Sequence, residues 1–497
     1  MRNPAFLRAR YAGIIRLTGG ITGLIGLVLL SPLAGLFFFP EEAALAGGFA
    51  LPGVIVTAVG GLLAGGLRSR VVAELTYAEG ATIIVMAWLT AVVAGAVPFW
   101  MLLELSFTQA LFESTSGWTT TGLSVLDVAA APRLILLFRS ILQYTGGAGF
   151  AVIMLSALAG PAGTGIGAAE GRPAGLAPNV RRSAELVLKL YSGYALCGIL
   201  ALHLAGMGWF DAVNHALTAV STGGFSTRPE SIGYWNSPPV EAVTIVLMLL
   251  GGTNFLTAYM LLTGHFAYVR RNGELHLLLL LVVVGVPLIL LTGAGHLYPS
   301  WPPALRSAVF ETVSALSTTG FSTTGYGGWN AGGLLLLTFL MVVGGGTGST
   351  AGGIKLHRVY LLIRGLVWEF RRQILPEKAV SAPYLWQGNQ RRFITDDELR
   401  HAGLFLFLYL CCWAAGSLVV CSWGYPVADG LFEFASAVGT VGLSVGVTAA
   451  DTPPAVLWTQ IAGMLLGRLE FFTVILGVIK LVRDARVMLR ADRSQRR

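Results

Sequence analysis

FESTSGWTTTGLS (112–124), NHALTAVSTGGFS (214–226), FETVSALSTTGFS (310–322) and FEFASAVGTVGLS (432–444) align without a gap on Gly122, Gly224, Gly320 and Gly442. In every copy a threonine stands two positions before the glycine (Thr120, Thr222, Thr318, Thr440), and a serine stands two positions after it (Ser124, Ser226, Ser322, Ser444). A register repeated four times in one chain marks a repeated structural unit. An apolar span precedes each copy, near 79–100, 184–206, 275–297 and 402–423, and another follows it, near 133–158, 238–266, 332–364 and 456–482. The repeating unit is span, short segment, span.

The residues before each glycine read as a short helix that ends at the threonine. Such a helix, with its C-terminus aimed into the membrane, offers the negative end of its dipole to a cation. Glycine at the turning point accepts a positive φ and lets the main chain approach an ion, whose hydration shell neighbouring carbonyl oxygens replace without an ionised ligand. Non-helical backbone at membrane depth is tolerated only where it is buried in protein or lines a water-filled cavity. Four aligned polar loops therefore favour convergence on one cavity over service as ordinary small-residue packing segments. The filter residues placed on this basis are Thr120, Thr121 and Gly122; Thr222, Gly223 and Gly224; Thr318, Thr319 and Gly320; and Thr440, Val441 and Gly442.

The rest of the chain agrees with a bilayer as solvent. Its 497 residues are 55% hydrophobic and only 12% charged, too few charges to keep a soluble surface of that size dispersed. A hydrocarbon core of about 30 Å asks for roughly 20 apolar residues per helix, and such stretches recur throughout. Two open the chain, about 14–39 and 43–66, joined by a loop carrying Glu41 and Glu42. Arg2, Arg8, Arg10 and Arg16 resemble the start of a signal peptide, but the apolar run is long and lacks a small-residue cleavage site, so it reads as an uncleaved span. The net charge of +8 comes from clusters between spans rather than one continuous face, which argues against nucleic acid as a partner. Arg68 and Arg70 follow the second span; Arg172, Arg181 and Arg182, then Arg270 and Arg271, then Arg364, Arg371, Arg372, Arg391 and Arg392, then Arg483, Arg486 and Arg490 follow the second span of each repeat. By the positive-inside rule those loops are cytoplasmic. Ten full spans then put both termini in the cytoplasm and bring every short segment in from outside. The expected fold is all-α and integral to the membrane: two N-terminal spans (1–70), pore repeats at 71–165, 166–270 and 271–372, and a last portion (373–497) with a cytoplasmic segment, the fourth repeat and a basic tail.

The third repeat carries a second signal. Gly344, Gly345, Gly346, Gly348, Gly352 and Gly353 interrupt its second span, and each glycine costs a helix about 1 kcal/mol relative to alanine. A flexible break below a filter suits a gate, which places Thr347, Ser349, Thr350 and Lys355 with those glycines; a glycine-lined packing face is the plainer reading. The stretch lacks the Gly-Lys-Ser/Thr ending of a phosphate-binding loop, since Ile354 precedes Lys355 and Leu356 follows it. Gly146, Gly147 and Gly149 lie inside an apolar span and read as close helix contacts. Arg468 falls near the middle of the last span, where a charge must face a pore or a partner; Glu470, two residues on, lies on another helical face. Glu113, Glu311 and Glu433 hold one place in three short helices and His215 holds it in the second; they are expected to bond backbone or neighbouring helices, with Arg139 a possible partner of Glu113. His203, His265 and His357 read as packing or interfacial residues, and the four cysteines lack metal-ligand spacing.

STGGFST (221–227), GGGTGSTAGGIK (344–355) and GRLEFFT (467–473), set within the four-fold pattern, resemble the signatures of the Trk/Ktr/HKT superfamily of potassium transporters, and of its TrkH type above all. VGTVGLS (438–444) is more similar to the Ktr branch. The resemblance covers essentially the chain after residue 70. It implies potassium as the substrate held at the filter, no cofactor, a glycine loop that blocks the pore, and a positive charge at Arg468 below the filter that keeps flux modest. Serine in the first loop accompanies sodium selectivity in some plant relatives, so Gly122 favours potassium. The resemblance further implies a bacterial cytoplasmic membrane, a homodimer, and a TrkA-type cytosolic nucleotide-binding subunit that docks on the segment from about Arg364 to Arg400 and the tail after Arg483. Those basic segments also suit anionic lipid head groups. Two other readings stand beside this one: a sodium-permeable or proton- or sodium-coupled symporter of the same fold, and a membrane-embedded enzyme. No HExxH, GxSxG or comparable constellation supports the enzyme.

Overall fold

A computed structural model describes residues 4–66, 75–147, 180–293, 295, 297–376, 382–387 and 390–495. Arg68, Arg70, Gly149, Arg172 and the end of the first repeat's second span lie outside the described residues. The chain forms two compact units, one of residues 1–118, 130–189 and 469–497 and the other of 119–129 and 190–468.

In the first unit, α1 (Pro4–Leu30) packs along α2 (Ala46–Gly66) through small residues. A Cβ on Gly60 would strike the Gly23 backbone, and one on Gly26 would strike Thr57, so the two helices approach at backbone distance. α3 (Tyr77–Leu102) begins where Glu79 accepts from the Thr76 amide at 2.9 Å and receives Arg10 of α1, whose Nε donates at 2.8 Å. The short helix α4 (Phe107–Trp118) docks on α3, with Ser114 Oγ donating to the Val92 carbonyl at 2.7 Å. α5 (Arg133–Gly147) returns beside it. α6 (Val180–Leu204) starts in this unit.

The second unit holds three further copies of the motif. α7 (Trp209–Val220) is followed by α8 (Pro238–Gly252) and α9 (Phe255–Leu262), which bend by 115° at residues 253–254. After the short α10 (Phe266–Arg270), α11 (Gly273–Thr292) leads to α12 (Trp301–Leu316), α13 (Ala331–Val343), a loop, and α14 (Leu356–Ile374). A two-stranded antiparallel hairpin, β1 (Tyr384–Gln387) with β2 (Gln390–Phe393), pairs Tyr384 with Phe393 and Leu385 with Arg392. These are the only strands among the described residues. α15 (Asp396–Ser422), α16 (Val427–Val438) and α17 (Pro454–Leu469) complete the fourth copy, and α18 (Phe471–Gln495) belongs to the first unit.

Six helical stretches among the described residues are long and apolar enough to cross a bilayer: the two N-terminal ones and the first span of each repeat. Three of the second spans are not single helices, as the glycines of the third already indicated. The second repeat's is the bent α8–α9 pair, the third's is split by residues 344–355, and the fourth's breaks at Glu470, whose φ is +61°. Hydropathy reads apolar length and is blind to these breaks.

Candidate functional site

The short helices α7, α12 and α16 end at Val220, Leu316 and Val438, and α4 ends at Trp118, in each case two residues before the threonine rather than at it. Thr120, Thr222, Thr318 and Thr440 have φ of 56°, 51°, 54° and 50°, a left-handed conformation that costs an L-residue about 1–2 kcal/mol. Gly122, Gly224, Gly320 and Gly442 follow at φ of 96°, 74°, 81° and 101°. The residue between each pair, Thr121, Gly223, Thr319 or Val441, is not left-handed. The same unusual backbone therefore recurs four times, and threonine shares with glycine the positive φ that the sequence assigned to glycine alone.

The four loops meet in order. A Cβ added at Gly122 would strike the Gly223 carbonyl oxygen; at Gly224, that of Thr319; at Gly320, that of Val441; and at Gly442, that of Thr121. Each glycine is pressed against the carbonyl that precedes the next loop's glycine, and the fourth contact returns to the first loop. The ring closes on bare backbone, where any side chain would push two loops apart. Carbonyl oxygens brought so close can ligate a dehydrated cation with no ionised group.

The last three loops are held by a residue of the short helix that precedes each of them. Glu311 accepts from the Thr323 amide at 2.8 Å, from its hydroxyl at 2.9 Å, and from the Tyr326 hydroxyl. Glu433 accepts from Ser444 Oγ at 2.8 Å and from the amides of Thr448 and Val445 at 3.0 and 3.1 Å. His215 donates from Nδ1 to the Asp211 carbonyl at 2.8 Å, which leaves Nε2 to accept from Ser226 Oγ at 2.9 Å. Glu113 lies 3.3 Å from Arg139 of α5, both fully buried.

The loop after α13 also lies in the second unit. Gly344, Gly348, Gly353 and Lys355 take φ of 71°, 72°, 74° and 78°. The loop folds back on itself through Ile354 N to Val342 O and Lys355 N to Val343 O, both 3.0 Å, and Leu356 N to Gly345 O at 2.8 Å. The bend between α8 and α9 frees carbonyls that receive it: Gly346 N donates to Gly252 O at 2.8 Å and Thr350 N to Gly251 O at 3.1 Å. Ser349 Oγ donates to Gly346 O at 2.6 Å. Gly352 N donates to Thr318 Oγ1 at 2.8 Å, and a Cβ on Gly352 would strike Gly439 O and Thr440 Oγ1. The loop is thus in direct contact with the filter threonines. Arg468 Nη1 donates to the Thr350 carbonyl at 2.6 Å. Arg468 stands in the last turn of α17, beside the break at Glu470 near the middle of the 456–482 stretch; Gly467 lies against the Val438 carbonyl so closely that no side chain fits.

The sequence matches the TrkH family, described as a cation transport protein, over residues 49–489. The chain belongs to this family. Its relatives include an uncharacterised cation transporter of Methanocaldococcus jannaschii, 30% identical over 93% of this chain and 94% of that one. The TrkH potassium uptake protein of Salmonella typhimurium is 34% identical over 81% of this chain and 85% of its own. The crystal structure of the potassium transporter TrkH from Vibrio parahaemolyticus superposes with a TM-score of 0.80 at 28% identity, over 94% of this chain and 98% of that one. The TrkH-like segments 221–227, 344–355 and 467–473 lie together in the second unit up to Arg468, within hydrogen-bonding reach through Thr222, Thr350 and Arg468. Sequence reasoning missed the bend at 253–254. Its signal was present in Gly251-Gly252-Thr253-Asn254, where the Asn254 side chain accepts from Leu256 N at 2.8 Å to start a new helix.

Proposed function

We propose that this member of the TrkH family is the membrane-spanning subunit of a potassium uptake system and acts as a transporter rather than an enzyme. Potassium passes between the backbone carbonyls of Thr120–Gly122, Thr222–Gly224, Thr318–Gly320 and Thr440–Gly442, within repeats running 71–165, 166–270, 271–372 and from 373 onward. The observation that supports this reading is the closed ring in which each filter glycine abuts the next loop's carbonyl. A backbone ring selects by oxygen number and spacing, and it carries no charge that would trap the ion.

The segment from Gly344 to Lys355 is the gate, held under the filter by Thr350 and Gly352. Arg468 sets the barrier beneath it, since its guanidinium both ties down the Thr350 carbonyl and repels a descending cation. Uptake is driven by the membrane potential, at about 2.3 kcal/mol per charge per 100 mV. The chain works in the bacterial cytoplasmic membrane with both termini inside, as a homodimer, and with a TrkA-type nucleotide-binding subunit on its basic cytoplasmic segments.

Expression in a bacterial strain stripped of its own potassium uptake systems tests the reading. Growth at low potassium, lost on Gly320→Val and retained by the parent chain together with its regulatory subunit, is the expected result. Failure of the parent to restore growth while it reaches the membrane intact argues against potassium uptake.

A further inference from the structure

The four filter threonines are equivalent in sequence but not in their hydroxyl partners. Thr222 Oγ1 lies 2.7 Å from the Ser221 carbonyl and 3.1 Å from Thr350 Oγ1 of the loop. Thr318 Oγ1 accepts the Gly352 amide at 2.8 Å. Thr120 Oγ1 and Thr440 Oγ1 are fully buried and, among the described residues, find no hydrogen-bond partner.

A buried hydroxyl without a partner is rare, because its lone pairs lose water and gain nothing. Two such hydroxyls at matched positions of a closed ring point to a missing ligand. The chemistry they share with Thr222 and Thr318 is that of a neutral oxygen donor for a monovalent cation.

We propose that the four threonine hydroxyls form a cation site at the loop end of the filter, and that the Gly352 amide of the loop competes with the cation for the oxygen supplied by Thr318. This rests on the filter reading above and deepens it. With the loop in place, the Thr318 oxygen is engaged by the Gly352 amide, whereas Thr222 donates toward Thr350 and keeps its lone pairs. With the cation bound by all four, the Gly352 amide loses its partner and that end of the loop loosens, while Thr350 keeps its bonds to Gly251, Val220 and Arg468. Binding and closure are linked, so each weakens the other by the same factor. The permeant ion is thereby an opener of its own gate, and an ion that fits the hydroxyl ring poorly leaves the gate shut even where it enters the filter.

Hydrogen exchange of residues 344–355 in the full chain, held in nanodiscs and titrated with potassium against choline at constant ionic strength, tests the proposal. Exchange of the loop amides is expected to rise with potassium and saturate, with sodium far less effective. Thr120→Val removes one oxygen ligand without touching a loop bond, and shifts the half-saturating potassium upward roughly fivefold. Thr318→Val removes a loop bond as well, so its loop exchanges faster than the parent's with no potassium present. Loop exchange that is flat in potassium, or a Thr120→Val titration that overlays the parent's, overturns the competition. Rubidium and sodium flux through the same variants separates the two levels. Changed flux selectivity with a flat exchange titration defeats the competition alone, whereas unchanged selectivity in Thr120→Val and in Gly122→Ser defeats the filter reading beneath it.

Discussion

Glu311 and Glu113 occupy the same place in two copies of one motif, and one of the two carboxylates faces a buried guanidinium. Glu311 gathers the Thr323 amide and hydroxyl and the Tyr326 hydroxyl, all neutral donors from the chain just beyond its own filter loop. Glu113 faces the Arg139 guanidinium from the helix that follows. His215 performs the same task with no carboxylate, through Ser226 Oγ. Glu311, Glu433 and His215 thus hold the outgoing chain of their loops by different chemistry. An ion pair and a fan of neutral hydrogen bonds differ most in what happens when one partner is removed.

Arg139→Leu is expected to have the largest effect, because it removes the guanidinium facing a buried carboxylate; breaking such a pair costs about 3–5 kcal/mol. Thermal unfolding in detergent, followed by the loss of monodisperse protein, measures it. Rescue by Glu113→Gln in the same chain would show that the uncompensated charge, and not lost packing, is the cause. If Arg139→Leu is as stable as the parent, the contrast between first and third repeats falls.

Glu433→Gln comes next. The amide keeps one acceptor where three donors converge, so about 1–3 kcal/mol is lost and the 444–448 segment loosens. Hydrogen exchange of that segment should rise while the rest of α16 stays protected. His215→Gln should cost least, about 1 kcal/mol, since only the Ser226 hydroxyl depends on Nε2. A penalty at His215 larger than at Glu433 would reverse the ranking and show that the imidazole carries the packing against Trp235 and Phe321.

Much of this arrangement is legible in the sequence, and the reason is local. The register of Gly122, Gly224, Gly320 and Gly442 is a backbone requirement, written wherever the chain must come within touching distance of its neighbour. The gating segment is legible for the same cause, since no helix tolerates six glycines between residues 344 and 353. The left-handed threonines are not, because Thr120 and its counterparts adopt that conformation only under the constraint of surrounding structure. Nor is the place of Arg468. Its distance from the Thr350 carbonyl depends on a break at Glu470 that hydropathy smooths over, in a stretch apolar enough to read as one helix. The partners of Glu311, Glu433 and His215 lie 11 to 15 residues on, across a turn whose path the sequence does not fix.

The central claim is that a ring of backbone carbonyls, closed through four glycines, selects the ion. Flux of potassium, rubidium, sodium and lithium into proteoliposomes, compared between the parent chain and Gly122→Ser, tests it most directly, with the regulatory subunit added to open the gate. Passage of potassium and rubidium over sodium and lithium in the parent, with that preference lost in Gly122→Ser, is the predicted result. Equal passage of all four ions in the parent, or an unaltered preference in the variant, would contradict it.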